Sequence, residues 1–264
     1  MSRPTLDELG LKYHTDKASY AHDFCSIYDA TFGAMRDEPI TLLEIGVADG
    51  ASIRMWLEYF PNAKVIGLDL EPGDNDTAYK KHAPHPEHPR FTLYLGDQTD
   101  RDVLRTVGKC EAPIDIVIDD GCHTMEAQQT SLGVLFQFVK PGGLYVVEDL
   151  HTSFVKRVRC CFVGSTGRRA SPETDLDYPT GSDYGAATSY ELLTQIRDLA
   201  NIGGAVPYPK SDFIAPEGSV TRPSESMKYI TAETADVHIY HTHETVEEDN
   251  LDHITGVMLK RGEA

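Results

Sequence analysis

Two short acidic stretches carry residue types that could do chemistry. Asp119-Asp120-Gly-Cys-His123 closes the apolar run that starts at Ile114, and Glu148-Asp149 follows the apolar run Leu144 to Val147. Such runs read as buried parallel strands. In an open α/β sheet, ligands bind outside the carboxyl ends of the strands, which would gather Asp119, Asp120, Glu148 and Asp149 at one mouth. Carboxylates this crowded repel one another unless a cation lies among them or some hold a proton. Oxygen ligands suit a hard divalent ion such as Mg²⁺ or Mn²⁺, which keeps waters that substrate oxygens can replace. Either acidic pair alone serves equally well as a helix cap or turn. Two pairs on neighbouring strands, with a histidine three residues after Asp120, favour a metal site among these four acids. His123 alone is more often a capping or packing residue. Beside an ion, its ordinary pKa of roughly 6.5 suits a general base.

The elements that must position these groups repeat as strand and helix. Ile40 to Ile45 is an apolar run interrupted only by Glu44; small residues Gly46, Ala48 and Gly50 follow. Ser52 to Phe60 reads as a helix with Ile53, Trp56, Leu57 and Phe60 on one face, Trp56 being core. Glycines let a ligand approach the backbone closely, and a helix N-terminus offers free N–H groups. The spacing is not G-x-G-x-x-G, which disfavours a nicotinamide dinucleotide. Val65 to Asp69 is a second strand whose terminal carboxylate suits the hydroxyls of a ribose. Arg90 to Leu95 is a third, followed by Asp97 and Gln98, with Asp97 or Thr99 expected to cap a helix over 100–107. A helix covers Leu132 to Val139, Lys140 to Gly143 is a turn, and Leu144 to Val147 is strand five. Ser189 to Ile202 reads as a helix, and Val237 to Val246 with Ile254 to Leu259 as a final antiparallel pair.

Residues 1–38 read as a helical lead-in, Leu6 to Leu11 and Tyr20 to Met35, joined by a turn over Tyr13 to Lys17 with Thr15 or Asp16 as cap. Residues 164–188 have little periodicity and lie just past strand five, as expected of a substrate-side lid. The whole, 1–264, reads as a single α/β domain with a seven-stranded, mostly parallel, doubly wound sheet.

Composition narrows the partners. With 24 basic and 42 acidic residues the net charge is −18, which disfavours nucleic acid and anionic membranes. There is no apolar run of membrane-spanning length and no signal-peptide pattern, so a cytoplasmic protein is expected. The five cysteines lack a CxxC spacing and read as reduced thiols. His82, His85 and His88 lie among prolines that forbid an aligning helix and read as a solvated loop; His238, His241 and His243 lack an acid or cysteine at ligand spacing and read as a hydrogen-bonded surface.

The order E-x-G-x-x-x-G followed by an acid ending strand two resembles the S-adenosylmethionine (SAM) site of class I methyltransferases. By that resemblance Glu44 and the Gly46 turn hold the methionine end, Asp69 the ribose, and Asp97 and Gln98 the adenine side. Ile-Asp-Asp-Gly-Cys-His, then Pro-Gly-Gly-Leu-Tyr-Val-Val-Glu-Asp-Leu, is similar to the Mg²⁺-dependent sugar O-methyltransferases of macrolide and enediyne natural products, the mycinamicin and calicheamicin deoxysugar enzymes among them. The likeness covers about residues 12–155. It implies metal ligation by Asp120, Glu148 and Asp149, proton removal by His123, and Asp119 near the cofactor. It also implies that the Thr15-Asp-Lys17 segment lies over the SAM site, touching cofactor through Thr15 and Lys17. The substrate would be a small-molecule glycoside, and relatives of this kind often form homo-oligomers. Catechol O-methyltransferases are related and share the Gly46 to Ser52 turn pattern, but carry Lys where His123 stands and Asp-Asn where Glu148-Asp149 stand. A catechol or phenol acceptor is thus the alternative, and a SAM-binding protein without turnover a further one.

Overall fold

The computed structural model describes residues 3–70, 86–154, 162–163, 168–169, 188–202, 225–243 and 252–262. Its centre is a seven-stranded sheet of β1 (Thr41–Ile45), β2 (Lys64–Asp69), β3 (Phe91–Leu95), β4 (Ile114–Asp119), β5 (Val139–Val147), β6 (Thr234–His243) and β7 (Asp252–Lys260). The spatial order is β3-β2-β1-β4-β5-β7-β6. The first five are parallel, and β7 runs antiparallel to both β5 and β6. Phe162–Val163 pairs separately with Arg168–Arg169. The expected lid, 164–188, otherwise lies outside the described residues apart from Thr188, as do His82 and His85.

Helices cover both faces, and side-chain alternation along each strand decides which residue meets which helix. Leu42, Val65, Ile116, Ile118 and Val146 pack with Leu6 and Leu9 of α1 (Leu6–Tyr13), Phe24, Tyr28 and Phe32 of α2 (Phe24–Phe32), and Ile53 and Trp56 of α3 (Ala51–Tyr59). Leu43, Ile66, Val117 and Tyr145 pack on the opposite face. Their partners there include Leu104 of α4 (Arg101–Glu111), Leu132 of α5 (Met125–Leu135), Leu192 of α6 (Ser189–Ile202) and Met227 of α7 (Glu225–Glu233). Every residue of β4 is buried, as a central parallel strand requires, whereas β3 at the sheet edge is only half covered.

Several boundaries differ from the sequence expectations, each for a local reason. The cap of α4 is Asp100, which accepts from the N–H groups of Asp102 and Val103; Asp97 instead accepts from the backbone and hydroxyl of Thr99. Helix α2 begins at Phe24 rather than Tyr20, because Asp23 is left-handed (φ 54°) and breaks the turn before it. Strand β5 starts at Val139, paired with Ile114, and the expected turn at Lys140 to Gly143 is an irregularity within it before Leu144 pairs with Ile116. Helix α7 escapes sequence reading because Met227 and Ile230 are its only large buried apolar residues. Cys25 and Cys110 are free thiols as expected, but Cys122 is disulfide-bonded. Pairing depends on spatial approach, which cysteine spacing along a chain does not reveal.

The Arg90 guanidinium ties β3 to the far end of α3, donating to the carbonyls of Leu57 (2.6 Å), Phe60 (2.8 Å) and Ala63 (2.8 Å). It satisfies carbonyls that a helix end leaves without partners and places a cation at the negative end of the helix dipole. Arg90→Met is expected to cost about 2 kcal/mol, read as a lower urea midpoint at unchanged slope; an unshifted midpoint would show that this clamp adds nothing to stability.

Candidate active site

The ends of β1, β4 and β5 lie side by side, with Ile45 aligned to Asp119 and Asp119 to Val147. Beyond them the backbone continues in register, Asp120 N–H donating to Ile45 O and Glu148 N–H to Asp119 O. Alternation then sorts the acids. Glu44 and Glu148 face the layer of α1 to α3, whereas Asp119 faces α5, where it accepts from Gln98 Nε2 (3.1 Å) and the Ser131 hydroxyl. Gly46 (φ 83°) is required by contact: a β-carbon there would lie 2.0 Å from the Asp120 carbonyl oxygen. The β1 turn and the β4 loop are therefore packed backbone to backbone.

The acids of the inner layer meet a cation supplied by the chain. Lys17, 1% exposed, bonds Asp120 Oδ2, lies 2.9 Å from Glu148 Oε2 and 3.6 Å from Glu44 Oε1. Tyr28 donates to the other Glu148 oxygen at 2.5 Å. Burial opposes the charge on Lys17, but Asp120, Glu148 and Glu44 outweigh it and hold the ammonium well above its usual range. Burial likewise raises Glu148, with repulsion from Asp120 adding to the effect, while Lys17 and Tyr28 oppose it.

Asp149 stands in a different environment. Burial would raise its carboxyl, but His123, His253, His22 and His151 together hold it well below the ordinary carboxylate range. His123 Nε2 is 3.3 Å from Asp149 Oδ2 and 3.9 Å from Asp120 Oδ1. Both His123 (φ 56°) and Asp149 (φ 52°) are left-handed, a conformation that costs a non-glycine residue energy and gathers at functional sites. The Thr152 hydroxyl, 2.9 Å from the carbonyls of both, pins the two loops to each other, and Gln128 Nε2 donates to the Glu148 carbonyl. Asp120, His123 and Asp149 offer ligand atoms within 4.8 Å of one another. A hard ion thus finds open oxygens on Asp120 and Asp149, but the Glu148 carboxylate is already engaged on both sides.

The residues expected at the cofactor lie around the same mouth. Ser52 donates to Glu44 Oε2 at 2.8 Å, and the buried Glu44 Oε1 has no hydrogen-bond partner among the described residues. An orphaned acceptor of this kind fits the ammonium of an amino-acid ligand. Asp69 Oδ2 accepts from the N–H groups of Val47 and Ala48, and Oδ1 from Leu70. One lone pair on Oδ1 is left for a ribose hydroxyl. Gln98 is buried and accepts from Cys122 N–H at 2.6 Å, bracing the β4 loop. Asp97 is engaged in its own turn, and buried Thr15 packs beside the lead-in turn. Tyr28, Gln128, Thr152, His22, His151 and His253 join the site without a sequence signal; the left-handed turns and helix faces that bring them in belong to the folded chain. His238 is 59% exposed in side chain and lies 3.0 Å from Asp236, the surface role expected of it.

Sheet order, the antiparallel last strand and the site beyond β1, β4 and β5 define the fold as that of a class I methyltransferase. Residues 43–150 match the family model described as a methyltransferase domain. The chain is similar to demethylmacrocin O-methyltransferase of Streptomyces fradiae, 40% identical over 58% of this chain and 38% of the relative. It is similar also to mycinamicin VI 2''-O-methyltransferase of Micromonospora griseorubida, 36% identical over 58% and 37%. Among solved structures it resembles MycE methyltransferase from the mycinamycin biosynthetic pathway, in complex with Mg, SAH and mycinamycin VI. The TM-score is 0.64 at 27% identity, covering 98% of this chain and 55% of that one. The chain spans about half the length of that structure, and the matched region less than half of the curated relatives. Among the described residues, no helix is long and apolar enough to cross a membrane.

Lys17→Met leaves buried Glu44 and Glu148 and partly exposed Asp120 without their cation and is expected to destabilise the fold by roughly 3–5 kcal/mol, measured by chemical denaturation; a loss under 1 kcal/mol would show the acids to be neutral without it. Burial raises Asp119 from 3.8 to about 6. A carboxyl raised on folding stabilises below its unfolded pKa, and that contribution is lost as pH rises through the folded value. Wild type should therefore lose roughly 2 kcal/mol more than Asp119→Asn between pH 4 and pH 7; equal slopes would show that Asp119 is not titrating in that window.

Proposed function

We propose that this chain is a SAM- and divalent-metal-dependent O-methyltransferase that methylates a hydroxyl on the sugar of a glycosylated natural product. The observation that carries this reading is the cluster of Asp120, His123 and Asp149 at the strand ends, beside the β1 turn with its orphaned Glu44 oxygen. The similarity to sugar O-methyltransferases of macrolide pathways supports the acceptor class. The net charge of −18 suits a small-molecule partner in the cytoplasm better than nucleic acid or a membrane, and a homo-oligomer is compatible with the reading.

The residues take these roles. Glu44 receives the donor's amino group, steadied by Ser52 and by the turn that Gly46 allows. Asp69 receives the ribose, and Asp97, Gln98 and Asp119 shape the adenine side. Thr15 and Lys17 close over them from the lead-in. Asp120 and Asp149 hold Mg²⁺ or Mn²⁺ directly, while Glu148, held by Lys17 and Tyr28, adds negative charge next to them. The ion, when bound, lowers the pKa of the acceptor hydroxyl and fixes a neighbouring sugar oxygen. His123 takes the hydroxyl proton. Its Nε2 faces the ion side, 3.3 Å from Asp149 Oδ2 and 3.9 Å from Asp120 Oδ1, and is the accepting atom. Asp149 steadies the imidazolium that forms.

Methyl transfer from radiolabelled SAM to a panel of deoxysugar glycosides and catechols tests the reading. Transfer to the glycosides, abolished by EDTA and restored by Mg²⁺ or Mn²⁺, is expected. His123→Ala should lower kcat by roughly 10²- to 10⁴-fold with SAM affinity kept in calorimetric titration. Transfer to catechols alone would replace the acceptor class, and activity insensitive to EDTA would remove the ion from the mechanism.

A further inference from the structure

Asp149 has two sides. Its Oδ2 faces His123, while its Oδ1 faces a group of imidazoles that methyl transfer does not use. His22, from the turn before α2, places Nδ1 4.0 Å from Oδ1; His253, on β7, places Nδ1 at 3.8 Å; and His151, just past β5, at 3.6 Å. At 4.0 and 3.6 Å, His22 and His151 stand beyond hydrogen-bond reach of Oδ1, which needs about 3.2 Å or less. Asp149 Oδ1 and His151 Nδ1 are both buried without a hydrogen-bond partner among the described residues. His22, Asp149 and His253 offer ligand atoms within 4.8 Å of one another. Asp149 and His253 are buried, and the His22 and His151 rings are about four-fifths covered.

Nitrogen atoms gathered around one buried carboxylate oxygen, with ligand atoms of His22, Asp149 and His253 within 4.8 Å of one another, leave a gap of ionic size. Two ligands bound at roughly 2.0 Å to a tetrahedral ion stand about 3.3 Å apart, so closing on an ion requires the Asp149 contacts of His22 and His253, now at 4.0 and 3.8 Å, to shorten. The rings of His22 and His253, now stacked at 3.9 Å and 22°, would swing apart to aim both Nδ1 atoms at it. Imidazole with one carboxylate selects a borderline ion such as Zn²⁺ over Mg²⁺, the reverse of the oxygen-rich side at Asp120.

We propose that Asp149 bridges two cation sites. Its Oδ2 serves the oxygen site with Asp120, and its Oδ1, with His22 and His253, holds a second divalent ion of the zinc class, with His151 beside it. This second site joins the lead-in, the β5 loop and the last strand of the sheet at one point. The Thr242 hydroxyl of β6 already accepts this arrangement by donating to the His22 carbonyl at 2.5 Å. The proposal shares Asp149 with the functional reading above but depends on neither the methyl donor nor the acceptor.

Equilibrium dialysis against Co²⁺ or Zn²⁺ under saturating Mg²⁺, with elemental analysis, tests it on wild type, the double variant His22→Gln/His253→Gln, and Asp120→Asn. Wild type and Asp120→Asn should each retain one Co²⁺ or Zn²⁺, and the double variant should bind it at least tenfold more weakly. X-ray absorption of the Co²⁺ or Zn²⁺ wild-type protein should show nitrogen neighbours at about 2.0–2.1 Å, a readout that stands even if the double variant fails to fold. No retained ion, an oxygen-only shell, or unchanged affinity in the folded double variant would overturn the second site. Ion binding lost in Asp120→Asn but kept in the double variant would likewise overturn it, by placing the ion on the oxygen side. Failure of methyl transfer or of Mg²⁺ dependence would leave these outcomes unchanged.

Discussion

One buried ammonium group sets the terms for everything at the mouth of the sheet. Lys17 lies among Glu44, Asp120 and Glu148 with almost no access to water. Carboxylates drawn out of water cost several kcal/mol each unless their charge is met. The lead-in segment supplies that cation from a turn more than a hundred residues away in sequence from Asp120 and Glu148. The same contact seats α1 and α2 on the sheet, since Tyr28 of α2 reaches Glu148 as well. Packing of the N-terminal helices and charge balance at the site are therefore one arrangement.

That arrangement also divides the acids by task. Lys17 and Tyr28 occupy both oxygens of Glu148, whereas Asp149, one residue later, turns the other way because its backbone is left-handed. Adjacent residues thus face opposite environments, one rich in oxygen and ammonium, the other in imidazole. Asp120 lies between them, with Oδ2 on Lys17 and Oδ1 toward His123. An ion entering on the His123 side meets open oxygens of Asp120 and Asp149, so Lys17 need not be displaced for it to bind. The loops stay in this form because Thr152 and Gln128 hold their carbonyls.

Strand alternation gives Asp119 its separate part. It points to α5 and is met by Ser131 and Gln98, so the first acid of the Asp-Asp pair braces the β4 loop while the second faces Lys17 and His123. Gln98 continues that chain to the backbone of Cys122, next to His123. The Asp119 contacts are in this way connected to the position of His123.

Much of this was legible in the sequence. Period-two burial and near-continuous apolar runs marked β1, β2 and β4; small residues after Ile45 marked the turn; and the acids ending strands β4 and β5 marked the mouth, because these signals are local and the sheet places strand ends together by rule. Helix α6 was legible to the residue, since Leu192, Leu193, Ile196 and Leu199 form an uninterrupted apolar face. What the sequence did not disclose is which partner each acid meets. Composition suggested that four crowded carboxylates need a cation, and the fold met part of that need with Lys17, which no local spacing connects to Glu148. The imidazoles of His22, His151 and His253 converge on Asp149 from a loop, a turn and the last strand for the same reason. Neighbours separated by long stretches of chain are chosen by tertiary packing, and left-handed turns at His123 and Asp149, which point their side chains, are set by the contacts that surround them.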